Sequence, residues 1–469
     1  MLERSAQLPE AVEAYHRALE SDRRSPLLLV HLGAAQAKLG HYDRALQAFS
    51  KALVLDPEHP EALRWLARLQ ISQGRLDEAV GVYERLARMT PQDQAILSTL
   101  ADLYVLQGRI AEAITVYEQL IVTFGSSSQL HFNLGVLYGR LGQFEEGLQE
   151  LSRAFELSPA SLEIRLALGV TYELDGAFDQ AAAHYEDAIR LDPLNPRLYH
   201  RAAQALLSGK RYADAAKMYR TTLELTPHDL EALMGLVRVL LAQHRYAPAE
   251  ALLAQQLTEL SEPPELYVAL GIVYREAGHH HEALRAFERA IAKQDDYAQA
   301  HFYLAAQLDE LERRPAARAA LRRTLELDPN HADAMNYLGY LDAEEGVQLE
   351  EAKQLIERAL ELDPGNGAYT DSLGWVYYKM GRFDEAIRHL EQAAERLKTD
   401  PVIFDHLAEA YVKQQDFERA RHNWERALTL APNNIVLQEK LERLPKMEST
   451  VHRPPSTANP SAPILPSRP

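Results

Sequence analysis

Apolar residues along this chain recur at intervals of three and four, the spacing that lines one face of an α-helix. The stripes stop and restart at regular points. One set stops at glycine: Gly40, Gly74, Gly108, Gly142, Gly176, Gly278, Gly346 and Gly381. Glycine adopts the left-handed backbone that closes a helix. The other set stops at proline: Pro57, Pro91, Pro159, Pro193, Pro227, Pro329, Pro364 and Pro432. Proline has no amide donor and pushes its predecessor out of helical conformation. A capping side chain then opens the next helix, as at Asp93, Ser161, Asn195, Asp229, Asn366, Asp400 and Asn434. Pro60, Pro196 and Pro401 stand at first helical positions, where proline is tolerated.

These helices come in pairs with a fixed period. A glycine or alanine is followed twelve residues later by alanine at Gly33/Ala45, Ala67/Ala79, Ala101/Ala113, Gly169/Ala181 and Ala203/Ala215. Gly271/Ala283, Ala305/Ala317, Gly374/Ala386 and Ala408/Ala420 continue the series. Repeats therefore start at 26, 60, 94, 128, 162, 196, 230, 264, 298 and 332, each 34 residues after the last. One repeat of 35 residues moves the frame to 367, followed by 401 and 435. The small residues let two backbones approach closely, where overpacking costs roughly 1–3 kcal/mol per site. Phe49, Tyr83, Tyr117, Tyr185, Tyr219 and Phe287, all at position 24, fill the space beside them. Helices of about a dozen residues are marginal alone, so each hairpin depends on its neighbours.

The pattern resembles the tetratricopeptide repeat family. Gly169, Tyr172, Ala181, Tyr185, Ala188 and Pro193 meet the family motif, and Gly271, Tyr274, Ala283, Phe287 and Ala290 meet it again without the final proline. The resemblance covers residues 1 to about 445. It implies an all-α, right-handed superhelical solenoid whose inner groove, lined by first helices, holds a peptide or partner segment. The expected organisation is a partial repeat at 1–25 (second helix only), six repeats at 26–229 and a degenerate repeat at 230–263. Five repeats at 264–434, a capping helix at 435–445 and a disordered Pro/Ser-rich tail at 446–469 complete it. The degenerate repeat, with Val237, Leu253 and Gln256 at motif positions and Pro263-Pro264 at its exit, is a candidate hinge. Because Ala11, Tyr15 and Ala18 match a second helix, a start codon placed late in the gene is one reading of the N-terminus. Localisation is then cytoplasmic as written, and periplasmic or envelope-associated if a leader precedes Met1.

Composition narrows the function. Lys+Arg 50 against Asp+Glu 68 leaves a formal charge of −18. That balance argues against nucleic acid or an anionic membrane as partner and suits a basic or amide-rich polypeptide. Without cysteine there are no disulfides, thiol nucleophiles, cysteine-ligated zinc or lipobox anchor. No run approaches the roughly 18 apolar residues of a membrane span. His279, His280 and His281 form a conspicuous cluster, but consecutive histidines do not share a helical face, and a polar turn explains them. Phosphate loop, nucleophile elbow and dinucleotide fingerprint are all missing. The chain is expected to be no enzyme and to bind no metal or cofactor.

What remains is the face of the first helices. Positions 2, 5, 9 and 12 of each form one stripe. In the last four repeats it carries Phe302, Asn336, Tyr340, Asp371, Trp375, Tyr378, Asp405 and Glu409. Aromatics interleaved with Asn and Asp suit partner recognition; alternatively, Trp375 and Tyr378 brace neighbouring first helices. Earlier repeats show less focus, with Arg64 and Arg68, Ser98 and Asp102, and Phe132 and Val136. No position 5 is Lys and no position 9 is Asn, so the carboxylate clamp of the chaperone-binding subfamily is not matched. The expected function is a non-catalytic scaffold or adaptor. Two alternatives are a cell-envelope or polysaccharide-export accessory protein and a regulatory subunit of a separate enzyme such as a glycosyltransferase.

Overall fold

A computed structural model describes residues 7–451. Among them are 26 helices and no strand. Complete hairpins have first helices starting at Pro26, Pro60, Gln94, Ser128, Leu162, Pro196 and Leu230, then at Pro264, Ala298, Ala332, Gly367 and Pro401. Leu8–Ser21 precedes them as a second helix. All seven caps expected from the sequence accept an amide of the first turn; Asp93, for example, accepts from Ala95 and Ile96 at 3.1 and 3.2 Å.

Every complete hairpin turns through a left-handed residue at position 15. Glycine fills eight of these positions, with φ between 68° and 79°. Lys210, His244, Glu312 and Gln415 fill the other four, at φ 59°, 55°, 58° and 64°. The next amide then closes onto the carbonyl five residues back, as Arg313 does onto Leu308 at 2.8 Å. The extra residue of the 35-residue repeat falls just after Gly346, where Gln348 takes φ 49° before Leu349–Leu362 begins.

The chain forms two compact bodies divided between Val239 and Leu240, inside helix Leu230–Ala242. Within each body a second helix packs on its own first helix and on the first helix of the following repeat. In the N-terminal body Phe49, Tyr83, Tyr117, Tyr185 and Tyr219 are buried, and Phe287 is buried in the C-terminal one. The small residue opposite is dictated by contact. A Cβ on Gly271 would lie 2.4 Å from Cε1 of Phe287, inside any tolerable separation.

The degenerate repeat keeps both helices, with Val237 buried in one body and Ala249 and Leu253 in the other. At its exit Ser261 and Glu262 are both left-handed, at φ 59°, ahead of Pro263 and Pro264. The last helix, Ile435–Val451, runs past the expected stop at 445 and carries Pro445 inside it. Leu437 and Leu444 anchor it on the final hairpin, so the lost backbone hydrogen bond does not end it. The proline-rich segment from 452 onward lies outside the described residues. Among those described, no helix is long and apolar enough to cross a membrane.

Left-handed backbone costs a residue with a side chain about 1–2 kcal/mol. Glu312→Gly and Gln415→Gly should therefore each raise unfolding stability by about 1 kcal/mol, while Gly74→Ala lowers it by a similar amount. Urea unfolding midpoints followed by circular dichroism check both signs.

Candidate functional site

The eight stripe residues come from four first helices of the C-terminal body: Ala298–Glu310, Ala332–Glu345, Gly367–Lys379 and Pro401–Lys413. The structure sorts them into two groups. Asp371 and Trp375 are buried, at 7% and 6% exposure, and form the centre of an inter-repeat brace. Trp375 stacks on Tyr378 of its own helix, with ring centroids 4.6 Å apart, and on His406 of the next first helix at 4.0 Å. Its indole N–H donates to Glu344 of the preceding first helix at 2.5 Å, and the Lys379 ammonium lies 4.9 Å from the ring centroid. Both Asp371 carboxylate oxygens sit 3.1 Å from Nδ1 of His406. Bracing, the alternative expected for Trp375 and Tyr378, is the contact both make, Trp375 with Glu344 and His406 and Tyr378 with Glu409; Asp371 joins it through His406.

Asp405 and Glu409 are tied down in the same way. Lys440, from the last helix, reaches Asp405 at 2.7 and 2.8 Å and Glu409 at 2.7 Å. Trp424 donates to Asp405 at 2.8 Å, and the Tyr378 hydroxyl donates to Glu409 at 2.9 Å. Burial opposes charge on Glu409, but its hydrogen bonds from Lys440 and Tyr378 outweigh that and hold its carboxyl below the ordinary range. Burial likewise opposes charge on His406. The Asp371 carboxylate, with Asp405 and Glu344 beyond it, prevails and raises the imidazole above its ordinary value.

The second group stays accessible. Phe302 and Tyr340 are half-buried. Phe302 lies 4.8 Å from the ring of His331, and Tyr340 lies 6.4 Å from that of His406. Asn336, between them in the stripe, is half-buried, and its Oδ1 is itself buried without a hydrogen-bond partner among the described residues. Burial, then the charges of Glu344, Asp371 and Asp309, keep the Tyr340 phenol protonated well above its usual range, so it remains a donor.

Sequence reasoning passed over a second stretch, in the N-terminal body. A concavity of about 370 Å³ opens on the first-helix face between Gln94–Leu106 and Ser128–Arg140. Val105, Leu106, Phe132 and Val136 form its apolar lining, with Asp102 and Arg140 at its edges. The Tyr117 hydroxyl donates to Asp102 at 2.8 Å and accepts from Asn133 at 3.2 Å, which orients the polar edge. Phe132 and Val136 at positions 5 and 9 were the available signal. Leu106, 67% exposed one position beyond the stripe, could be placed only in three dimensions. His280, from the histidine cluster, pairs with Glu310 at 3.3 Å at the surface.

Three family models, each described as tetratricopeptide repeat, match the chain. The first matches residues 31–94, 133–196 and 307–367, the second 72–131, 206–270 and 343–405, and the third 264–297 and 401–434. A curated relative, the TPR repeat-containing protein PA4667 of Pseudomonas aeruginosa, is 35% identical over 89 residues. That match spans 19% of this chain and 15% of the relative. Among solved structures, the APC/C hetero-tetramer Cut9-Hcn1 is 15% identical, with 94% of each chain covered and a TM-score of 0.47. Yeast Tom70 is 16% identical, with 91% of this chain and 95% of that one covered and a TM-score of 0.43.

Trp375→Ala should destabilise the protein by about 3–5 kcal/mol, the cost of emptying a packed aromatic site. Urea unfolding measures it, and a change below about 1 kcal/mol would contradict the brace. The raised imidazole of His406 gives the brace a pH dependence of known sign. Its contribution is complete below the unfolded-state value of about 6.5 and is lost as pH rises through the folded value. A series of unfolding midpoints from acid to alkaline pH should therefore contain a falling component that His406→Gln removes.

Proposed function

The chain belongs to the tetratricopeptide repeat family, and from that premise we propose that it is a non-catalytic scaffold holding partner polypeptides on its first-helix faces. The observation that carries this reading is the apolar concavity formed by Val105, Leu106, Phe132 and Val136. It is water-exposed apolar surface with polar edges, the composition that favours docking an anchor side chain. Asp102 and Arg140 at its edges offer one acceptor and one donor to the partner backbone or flanking side chains.

The C-terminal body supplies the second contact. Phe302 and Tyr340 present aromatic surface, and Glu344, Asp371 and Asp309 place negative charge near Tyr340. Such a surface favours a segment with an amide or basic side chain next to an apolar anchor. Its centre is Phe302–Asn336–Tyr340, since Trp375 is spent on the brace.

Selecting peptides from a displayed random library against the full chain tests the reading. Val136→Asp should weaken one class of selected peptide at least about tenfold, and Tyr340→Ala with Asn336→Ala should do the same for a class rich in Lys, Arg, Asn or Gln. Both variants should lose some stability, since Val136 and Tyr340 are half-buried, but should keep the parent's circular dichroism spectrum and a cooperative urea transition. Selected peptides that bind parent and variants equally would remove these surfaces as sites; a library yielding no binder at all would remove the reading.

A further inference from the structure

A groove of different character lies among the second helices of the N-terminal body. Leu8–Ser21 and Tyr42–Leu55 flank the first helix Pro26–Lys38, and a channel runs between them over it. One end encloses about 550 Å³ and the other about 490 Å³; Leu29 and Lys51 line both, so the two are continuous. The floor is mostly apolar, built from Leu29, Leu32 and Leu39 with the buried Gln36 among them. Val54 and Leu55 extend it onto the surface at 81% and 41% exposure.

The rim breaks with the rest of the molecule. In a chain of net charge −18, every ionisable side chain lining this channel is basic: His16, Arg23, His41, Arg44 and Lys51. Some other surface cations of this body are engaged with carboxylates, as Arg64 is with Asp93 and Arg211 with Asp214, while Arg88 and Lys217 are exposed without such a pair among the described residues. Arg23, Arg44 and Lys51 make no ion pair among the described residues and point their charge at solvent.

We propose that this channel docks an acidic amphipathic helix of a partner protein, independently of the first-helix faces. Its flanking helices are 14 residues long, about 21 Å, which matches roughly four turns of a bound helix. Leu29 and Leu32 are already buried, so a helix with anchors at i, i+3 or i+4, and i+7 gains its apolar contact chiefly from Val54, Leu55 and the half-buried Leu39. Carboxylates on its two flanks meet Arg23, Arg44 and Lys51. Exposed pairs of this kind contribute little each, but together they select an acidic partner and make association salt-dependent. A basic helix of the same shape is repelled.

Because the chain has no cysteine, Gln47→Cys on the exposed rim accepts a single environment-sensitive fluorophore in the full-length protein. The probe is a helical peptide of about 16 residues with leucines at i, i+3, i+7 and i+10 and glutamates on both flanks. Its control carries lysine at every glutamate position. The glutamate peptide should bind at least about tenfold tighter than the control and weaken with added salt. Arg44→Glu with Lys51→Glu, both exposed, should abolish that preference without changing the circular dichroism spectrum. Equal affinity for the two peptides, or binding indifferent to the charge reversal, overturns the proposal. So does sedimentation showing self-association that the charge reversal abolishes, since the occupant would then be a second copy. A loss confined to Val136→Asp or Tyr340→Ala would concern the first-helix faces and leave this site untouched.

Discussion

The fold depends on one close contact: the small residue of a first helix against the large side chain that the second helix carries at position 24 of the repeat. Phe287 lies where any Cβ on Gly271 would have to be, and Tyr185 does the same to Gly169. The contact sets how near the two helices come, and hence how much apolar surface remains for the neighbouring repeat. A single hairpin cannot bury that remainder. Stacking buries it, and the hairpin becomes stable only as a member of a row.

The same economy explains why the first-helix stripe is used unevenly. Second helices are held on two sides by core contacts, whereas first helices are held partly by one another. Where neighbouring first helices come together, as at 332 and 367, large side chains on the stripe are drawn into the joint. Trp375 is the outcome: stacked on two rings and hydrogen-bonded to Glu344. Where the stripe carries smaller or purely apolar residues, as at Val105 and Val136, the joint leaves a hollow. Bracing and recognition compete for the same positions, and side-chain size and hydrogen-bonding capacity decide between them.

Charge follows a related rule. The C-terminal brace pairs Asp371 with His406 and Asp405 with Lys440, in each case an acid at position 5 with a base at position 6 of the following helix. Burying such groups is costly unless each is matched, so the pairs specify which helix follows which. Around the N-terminal channel Arg23, Arg44 and Lys51 make no such pair among the described residues.

Helix boundaries, caps, turns and the repeat frame were legible because they rest on local chemistry: proline's missing donor, glycine's left-handed backbone, a capping oxygen. Even the four turns without glycine obey the frame, since Lys210, His244, Glu312 and Gln415 are forced into the same conformation by the helices they join. The stripe on the first helices was legible too, as periodicity. Which stripe residues are buried was not. The indole of Trp375 finds Glu344 at 31 residues' separation and His406 packs on it from the next repeat, distances along the chain that no local pattern encodes. The sequence alone determined the hairpins and their order, because backbone stereochemistry acts over a few residues. Only the tertiary structure decided which surfaces stay open, because burial depends on the shapes of neighbours that the chain brings together by stacking.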